Sequence, residues 1–136
     1  MKNGESHKRG MKLAVASLAL LAAGMTIAAG KSGGPDTAAW NKPHKPFQVF
    51  GNTYYVGTDQ LSSILVTSEF GHVLIDGGLP ESAAQIKANI EALGFKLTDV
   101  KAILNSHTHP DHAGGIAELQ KLSGADVYAL RPANDV

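Results

Sequence analysis

The apolar positions of this chain keep different periods along its length, and each period predicts a different kind of element. Over residues 13–29 they run almost unbroken, interrupted only by Ser17, Gly24 and Thr26. From Phe47 onward they come in short bursts, 47–50, 53–56, 61–67 and 72–76, the length and composition of β-strands. Gly51-Asn52 suits a tight hairpin turn between the first pair, and Glu69-Phe70-Gly71 lies in the turn between the second. Ile64-Leu65-Val66 and Val73-Leu74-Ile75 are apolar without alternation, which predicts strands buried on both faces. The period then lengthens. Ala83, Ile86, Ile90 and Leu93 recur at three- and four-residue spacing while Glu81, Gln85 and Lys87 fall opposite them, predicting a helix over 80–93. Pro80 suits its first turn and Gly94 its stop. Residues 100–104 form another buried strand, ending at Asn105-Ser106. A short helix over 115–122 carries Ile116, Leu119 and Leu122 and stops at Gly124, and 126–130 begins a strand with no partner in the remaining chain. Strands followed by helices in this order place the chain in the α/β (α+β) class.

The N-terminal run is of another kind. Lys2, Lys8, Arg9 and Lys12 precede it, and Ala28-Ala29-Gly30 closes it with small residues, the pattern of a secretory signal peptide over 1–30. Met11-Lys12 by itself already begins such a signal, and Ala28, Ala29 and Gly30 each offer a cleavage point. The run is shorter than the roughly 20 residues that a spanning helix needs, so export is predicted over a stable membrane anchor. Residues 31–46, with Gly33-Gly34-Pro35, Pro43 and Pro46, read as a linker lying along the surface of the domain that follows.

Composition narrows the destination and the partners. There is no cysteine, so neither a lipid-attachment site nor a disulfide is available, and the periplasm or the outside of a bacterial cell is the expected location. The 12 basic and 12 acidic residues balance, and there is no basic stripe with interleaved aromatics, which argues against nucleic acid as a partner.

One hexad carries the chemistry. His107-Thr108-His109-Pro110-Asp111-His112 places three of the chain's 6 histidines and a carboxylate together, a donor set that binds zinc without cysteine. It follows a buried strand and precedes a helix, so a rigid element anchors it. In extended backbone His107 and His109 point to one side and can chelate one ion. Asp111 and His112 point differently and more naturally serve a second ion. Gly114-Gly115 let backbone come near the site. A solvated histidine-rich loop is the plainer reading, and the spacing, the position and the acidic member all weigh against it. Asp76, at the end of an apolar strand and before Gly77-Gly78, is either a turn-former or a carboxylate that orients the metal-binding loop from behind. His7, His44 and His72 stand in the leader, the linker and a strand start, and carry no metal role.

Leu74-Ile75-Asp76-Gly77-Gly78 followed about thirty residues later by the hexad resembles the metallo-β-lactamase superfamily. Residues 51–58, 61–65 and 111–120 are similar in particular to the third subclass of class B β-lactamases, and the resemblance runs over about 40–129. It implies the N-terminal half of a four-layer αββα sandwich over residues 47–136, and zinc as cofactor, two ions in the family. His107 and His109 would be ligands of the first ion, Asp111 and His112 of the second, and Asp76 the carboxylate behind the loop. A β-lactam antibiotic would be the substrate. Zinc lowers the pKa of water to about 7, which readies it for attack on the lactam carbonyl, and Asp111 would be the catalytic residue that handles its proton.

The resemblance also implies a shortfall. Family members supply further histidines to both ions from a second αβ half, and no histidine follows His112. The expectation is therefore a truncated and inactive β-lactamase, with one sheet face uncovered and an edge strand unpaired. The alternatives are a lactone or thioester hydrolase on the same fold, and a non-catalytic secreted metal-binding remnant.

Overall fold

Six strands hydrogen-bond in chain order into one sheet, so that every strand lies beside its neighbour in sequence. The computed structural model describes residues 36–129; the expected signal peptide, Leu130 and the residues beyond it lie outside that range. The strands are β1 (Phe47–Phe50), β2 (Thr53–Tyr55), β3 (Ile64–Val66), β4 (His72–Ile75), β5 (Val100–Asn105) and β6 (Asp126–Ala129). From β1 to β4 the pairing is antiparallel, through short turns. Gly51 takes a positive φ of 53° in the first turn, the backbone that the Gly-Asn pair predicts.

β4, β5 and β6 are parallel, which requires a crossover between each pair, and helices supply it. After β4 come a single 3₁₀ turn at Pro80–Ser82 and helix α2 (Ala83–Ala92), α1 being the short helix Thr37–Trp40. After β5 come the one-turn helix α3 (Pro110–Ala113) and helix α4 (Ile116–Ser123), which ends at Gly124 with φ 74°. The expected helices over 80–93 and 115–122 are thus present, the first opening with a 3₁₀ turn. The helical turn α3 is an addition to the reading of the sequence. β6, expected to lack a partner, has one: it pairs along its length with β5.

Both long helices pack on the same face of the sheet. Leu65, Leu74 and Ile103 stand in one cross-strand row and are fully buried with Ile86, Ile90, Ile116 and Leu119 from the helices. The row beside it faces the other way: Tyr55, Ile64, Ile75, Leu104 and Tyr128 are register partners across five strands. Leu104 is 38% and Tyr128 55% exposed, so among the described residues this second face has no covering layer. The uninterrupted apolar composition of β3 and β4 predicted burial on both faces; the described residues bury one.

β3 is also shorter than the burst over 61–67. Leu61 leaves the strand because its carbonyl accepts from Thr58 N and from the Tyr55 hydroxyl, which closes a turn. The segment read as a linker is tied down from Asp36 onward. Trp40 O accepts from Thr58 Oγ1 and Gln60 N, Lys42 O accepts from Asp59 N, and Asn41 Oδ1 accepts from Ser82 Oγ. Residues 36–46 therefore form a strap along the surface and no free tether.

Candidate metal centre

The corner where β5 hands the chain to α3 gathers the hexad. His107 and His109 extend from the strand end, and His109 keeps an extended backbone (φ −68°, ψ 153°) as the residue before the helix. Pro110 then starts α3, where its fixed φ fits and its missing N–H would have no partner anyway. The single turn folds Asp111 and His112 back toward the strand end. The His107 ring comes within 4.2 Å of the His109 ring and 5.3 Å of the His112 ring, centroid to centroid. Asp111 Oδ2 lies 3.6 Å from His112 Nε2. All four expected ligands share one corner, His107 and His109 exposed, Asp111 and His112 half-buried.

Asp76 organises this corner from behind. It is buried, and its φ of 61° makes it the only non-glycine described residue with left-handed backbone, a conformation that aspartate tolerates better than most residues. Its Oδ1 accepts from Ser106 N at 2.8 Å, and its Oδ2 from Ser106 Oγ at 2.5 Å and His112 Nδ1 at 2.9 Å. Burial pushes the carboxyl pKa up, but the hydrogen bonds from His112 and Ser106 outweigh it and hold the group below its ordinary value. Asp76 is therefore an anion with acceptor capacity only. Asp76 thus turns the chain and hydrogen-bonds the loop that carries the hexad, the geometry that the two readings of the sequence call for.

This fixes the tautomer of His112. In the neutral ring, an acceptor-only oxygen 2.9 Å from Nδ1 places the proton on Nδ1 and the lone pair on Nε2. That lone pair faces the Asp111 carboxylate across 3.6 Å. Two acceptors opposed in this way repel until a cation lies near them, and a ring held from behind by a carboxylate is how metal-binding histidines are commonly oriented. The chemistry of the donors thus fits zinc. Their geometry is that of an open set: among the described residues no three His, Asp or Glu side chains close on a common point as a metal cage would require.

Glycines lock the corner to the sheet. Gly77 N donates to His112 O at 2.7 Å and Gly115 N to Gly78 O at 3.1 Å, with a parallel bridge between Gly78 and Ala113. A Cβ on Gly115 would stand 2.2 Å from Gly77 O. The close backbone approach expected at Gly114-Gly115 is real, and its partner is the Gly77–Gly78 loop. Ser106, whose two bonds orient Asp76, went unread in the sequence; its signal was its place directly before the hexad at a strand end. Beside Ser106 opens a groove of about 310 Å³ lined by Ile75, Leu104, Asn105, Tyr128 and Ala129 on the uncovered face. The remaining described histidines are elsewhere, His44 among Phe47 and Tyr55, His72 against Phe95. His7 lies outside the described residues.

Known proteins resemble the chain over this stretch. The chain is 67% identical to a subclass B3 metallo-β-lactamase from a soil metagenome library (TM-score 0.64), covering 65% of this chain and 33% of that one. It is 66% identical to the Rm3 metallo-β-lactamase (TM-score 0.67), covering 69% and 35%. It is also 40% identical over 77 residues to a hydroxyacylglutathione hydrolase of Rhodopseudomonas palustris, 51% of this chain and 29% of that protein. The chain thus spans about a third of the length of these proteins or less. The metallo-beta-lactamase superfamily model matches residues 56–133, a stretch that holds Asp76, the glycine clasp and the whole hexad. The chain belongs to the metallo-β-lactamase superfamily.

Proposed function

We propose that this chain is part of an exported, zinc-dependent β-lactam hydrolase in which His107 and His109 hold one ion and Asp111 and His112 a second. The observation that carries the reading is the 66–67% identity to two solved metallo-β-lactamases. The donor chemistry of the corner supports it independently. Bound zinc would supply Lewis acidity and a water acidified to a pKa of about 7.

The chain's own residues do the rest. Asp76 holds the His112 ring so that Nε2 stays free, and the Asp111 carboxylate, half-buried at the mouth of the corner, can take up a proton from water. Ile75, Leu104 and Tyr128 form an apolar face beside the polar corner, the face that a second αβ half would cover. The expected leader falls outside the described residues. Among those described, no helix is long and apolar enough to cross a membrane. A thioester or lactone hydrolase is the second reading, and the 40% identity to a hydroxyacylglutathione hydrolase favours it.

Grafting residues 36–129 in place of the matching third of the Rm3 enzyme tests the proposal. The graft should hydrolyse a chromogenic cephalosporin and lose that activity to a chelator, and replacing His109 by Ala should cost more than about 100-fold. Turnover of a glutathione thioester or a lactone without cephalosporin hydrolysis would establish the second reading. A folded, zinc-loaded graft inert toward all three would overturn both.

A further inference from the structure

We propose that Ser106 is a positioning residue for the metal corner: its hydroxyl locks the Asp76 carboxylate in the one orientation that keeps His112 protonated on Nδ1 and open at Nε2. The proposal deepens the reading of His112 as a zinc ligand and takes its purpose from it.

The backbone of Ser106 already secures the loop, since Ser106 N donates to Asp76 Oδ1 at 2.8 Å. An alanine at this position would keep that bond. What the side chain adds is a second donor at the other oxygen, Oδ2, at 2.5 Å. Two donors from one residue, one to each oxygen, clamp the carboxylate against rotation about its Cβ–Cγ bond. Oδ2 is also the oxygen that His112 Nδ1 reaches at 2.9 Å. With the plane of the carboxylate fixed, its remaining lone pair is aimed at the ring.

The direction of the hydroxyl proton matters as much. Ser106 Oγ is 3.4 Å from His112 Nδ1, close enough to donate there if nothing better were offered. Donation to Nδ1 would favour the opposite tautomer, with the proton on Nε2 and facing Asp111. The anionic oxygen at 2.5 Å is the stronger acceptor, so the hydroxyl donates to Asp76 and the histidine must supply its own proton to that carboxylate. Ser106 therefore acts on His112 only through Asp76, in the manner of the carboxylate that sets the catalytic imidazole tautomer in serine proteases.

Nitrogen-15 NMR of the histidine rings in the full chain, metal-free and at a pH above the imidazole range, reads the tautomer directly. Wild type should show His112 with the proton on Nδ1. Ser106→Ala should move it to a mixture of tautomers, Ser106→Thr should restore it, and Ser106→Ala placed on Asp76→Asn should add no further change. Zinc competition against a chromophoric chelator should fall roughly 10-fold in Ser106→Ala and recover in Ser106→Thr.

An unchanged tautomer in Ser106→Ala, no rescue by threonine, or an equal shift in the Asp76→Asn background would each overturn the proposal. So would loss of the folded amide spectrum in Ser106→Ala alone while Asp76→Asn keeps it, because the hydroxyl would then serve the fold independently of Asp76. The tautomer is read without zinc or substrate, so failure here leaves the hydrolase reading standing. An inert graft, in turn, leaves the tautomer result untouched.

Discussion

At the scale of single residues, one buried carboxylate does several jobs at once. Asp76 turns the chain with a left-handed backbone and accepts three hydrogen bonds from the loop that carries the hexad. Replacing it by asparagine puts a donor where three donors already converge. We expect Asp76→Asn to lower zinc affinity roughly 10- to 100-fold, measured by competition with a chromophoric chelator; unchanged affinity would remove Asp76 from its orienting role. The hexad itself was legible because three imidazoles and a carboxylate in six positions have few other uses. Asp76 was legible only as an alternative, a turn-former or a carboxylate behind the loop, since in sequence it ends an apolar run and shows no partner. The partners that define it stand about thirty residues away.

At the scale of elements, the fit of backbone on backbone sets what each position tolerates. Gly115 meets Gly77 O with no room for a Cβ, whereas Gly124 has open space around it and only a positive φ to satisfy. Gly124→Ala should cost about 1–2 kcal/mol for its left-handed backbone. Gly115→Ala should cost at least as much, about 1–3 kcal/mol from overpacking against a carbonyl that cannot give way, and it should also displace the hexad. Urea midpoints check both, and Gly115→Ala milder than Gly124→Ala would contradict the clasp.

Helix α2 holds a comparable case in Asn89, buried in the apolar stripe, with Nδ2 donating to Val56 O at 3.0 Å and Gly57 O at 2.9 Å. Asn89→Ala strands two buried carbonyls and should cost about 1–3 kcal/mol, again read in a urea melt. The stripe of Ala83, Ile86 and Ile90 was readable from its period. Asn89 was not, because a polar residue among apolar ones shows no partner in sequence.

At the scale of the whole molecule, the described residues cover one side of the sheet and not the other, and adjacent residues of β5 report the difference. Ile103 is fully buried under the helices, while Leu104, its neighbour, is 38% exposed on the opposite face. Ile103→Ala should cost about 2–5 kcal/mol, and Leu104→Ala in this chain less than about 1 kcal/mol. Equal costs in denaturant unfolding would mean that the second face is covered in solution. The same apolar face should bind a hydrophobic dye, and Leu104→Lys should reduce that binding.

The sequence alone determined what depends on neighbours along the chain. The period of apolar residues set where strands and helices form, the Gly-Asn pair set the first hairpin, and the density of imidazole in 107–112 identified the candidate chemistry. Tertiary structure decided what depends on groups far apart in sequence: the parallel pairing of β6 with β5, the approach of Gly115 to Gly77, and the grip of Asp76 and Ser106 on His112. The physical reason is the range of the interactions. Propensity and capping act within a turn or two, whereas a hydrogen bond between residues 76 and 112 exists only after two parallel strands have brought their ends side by side.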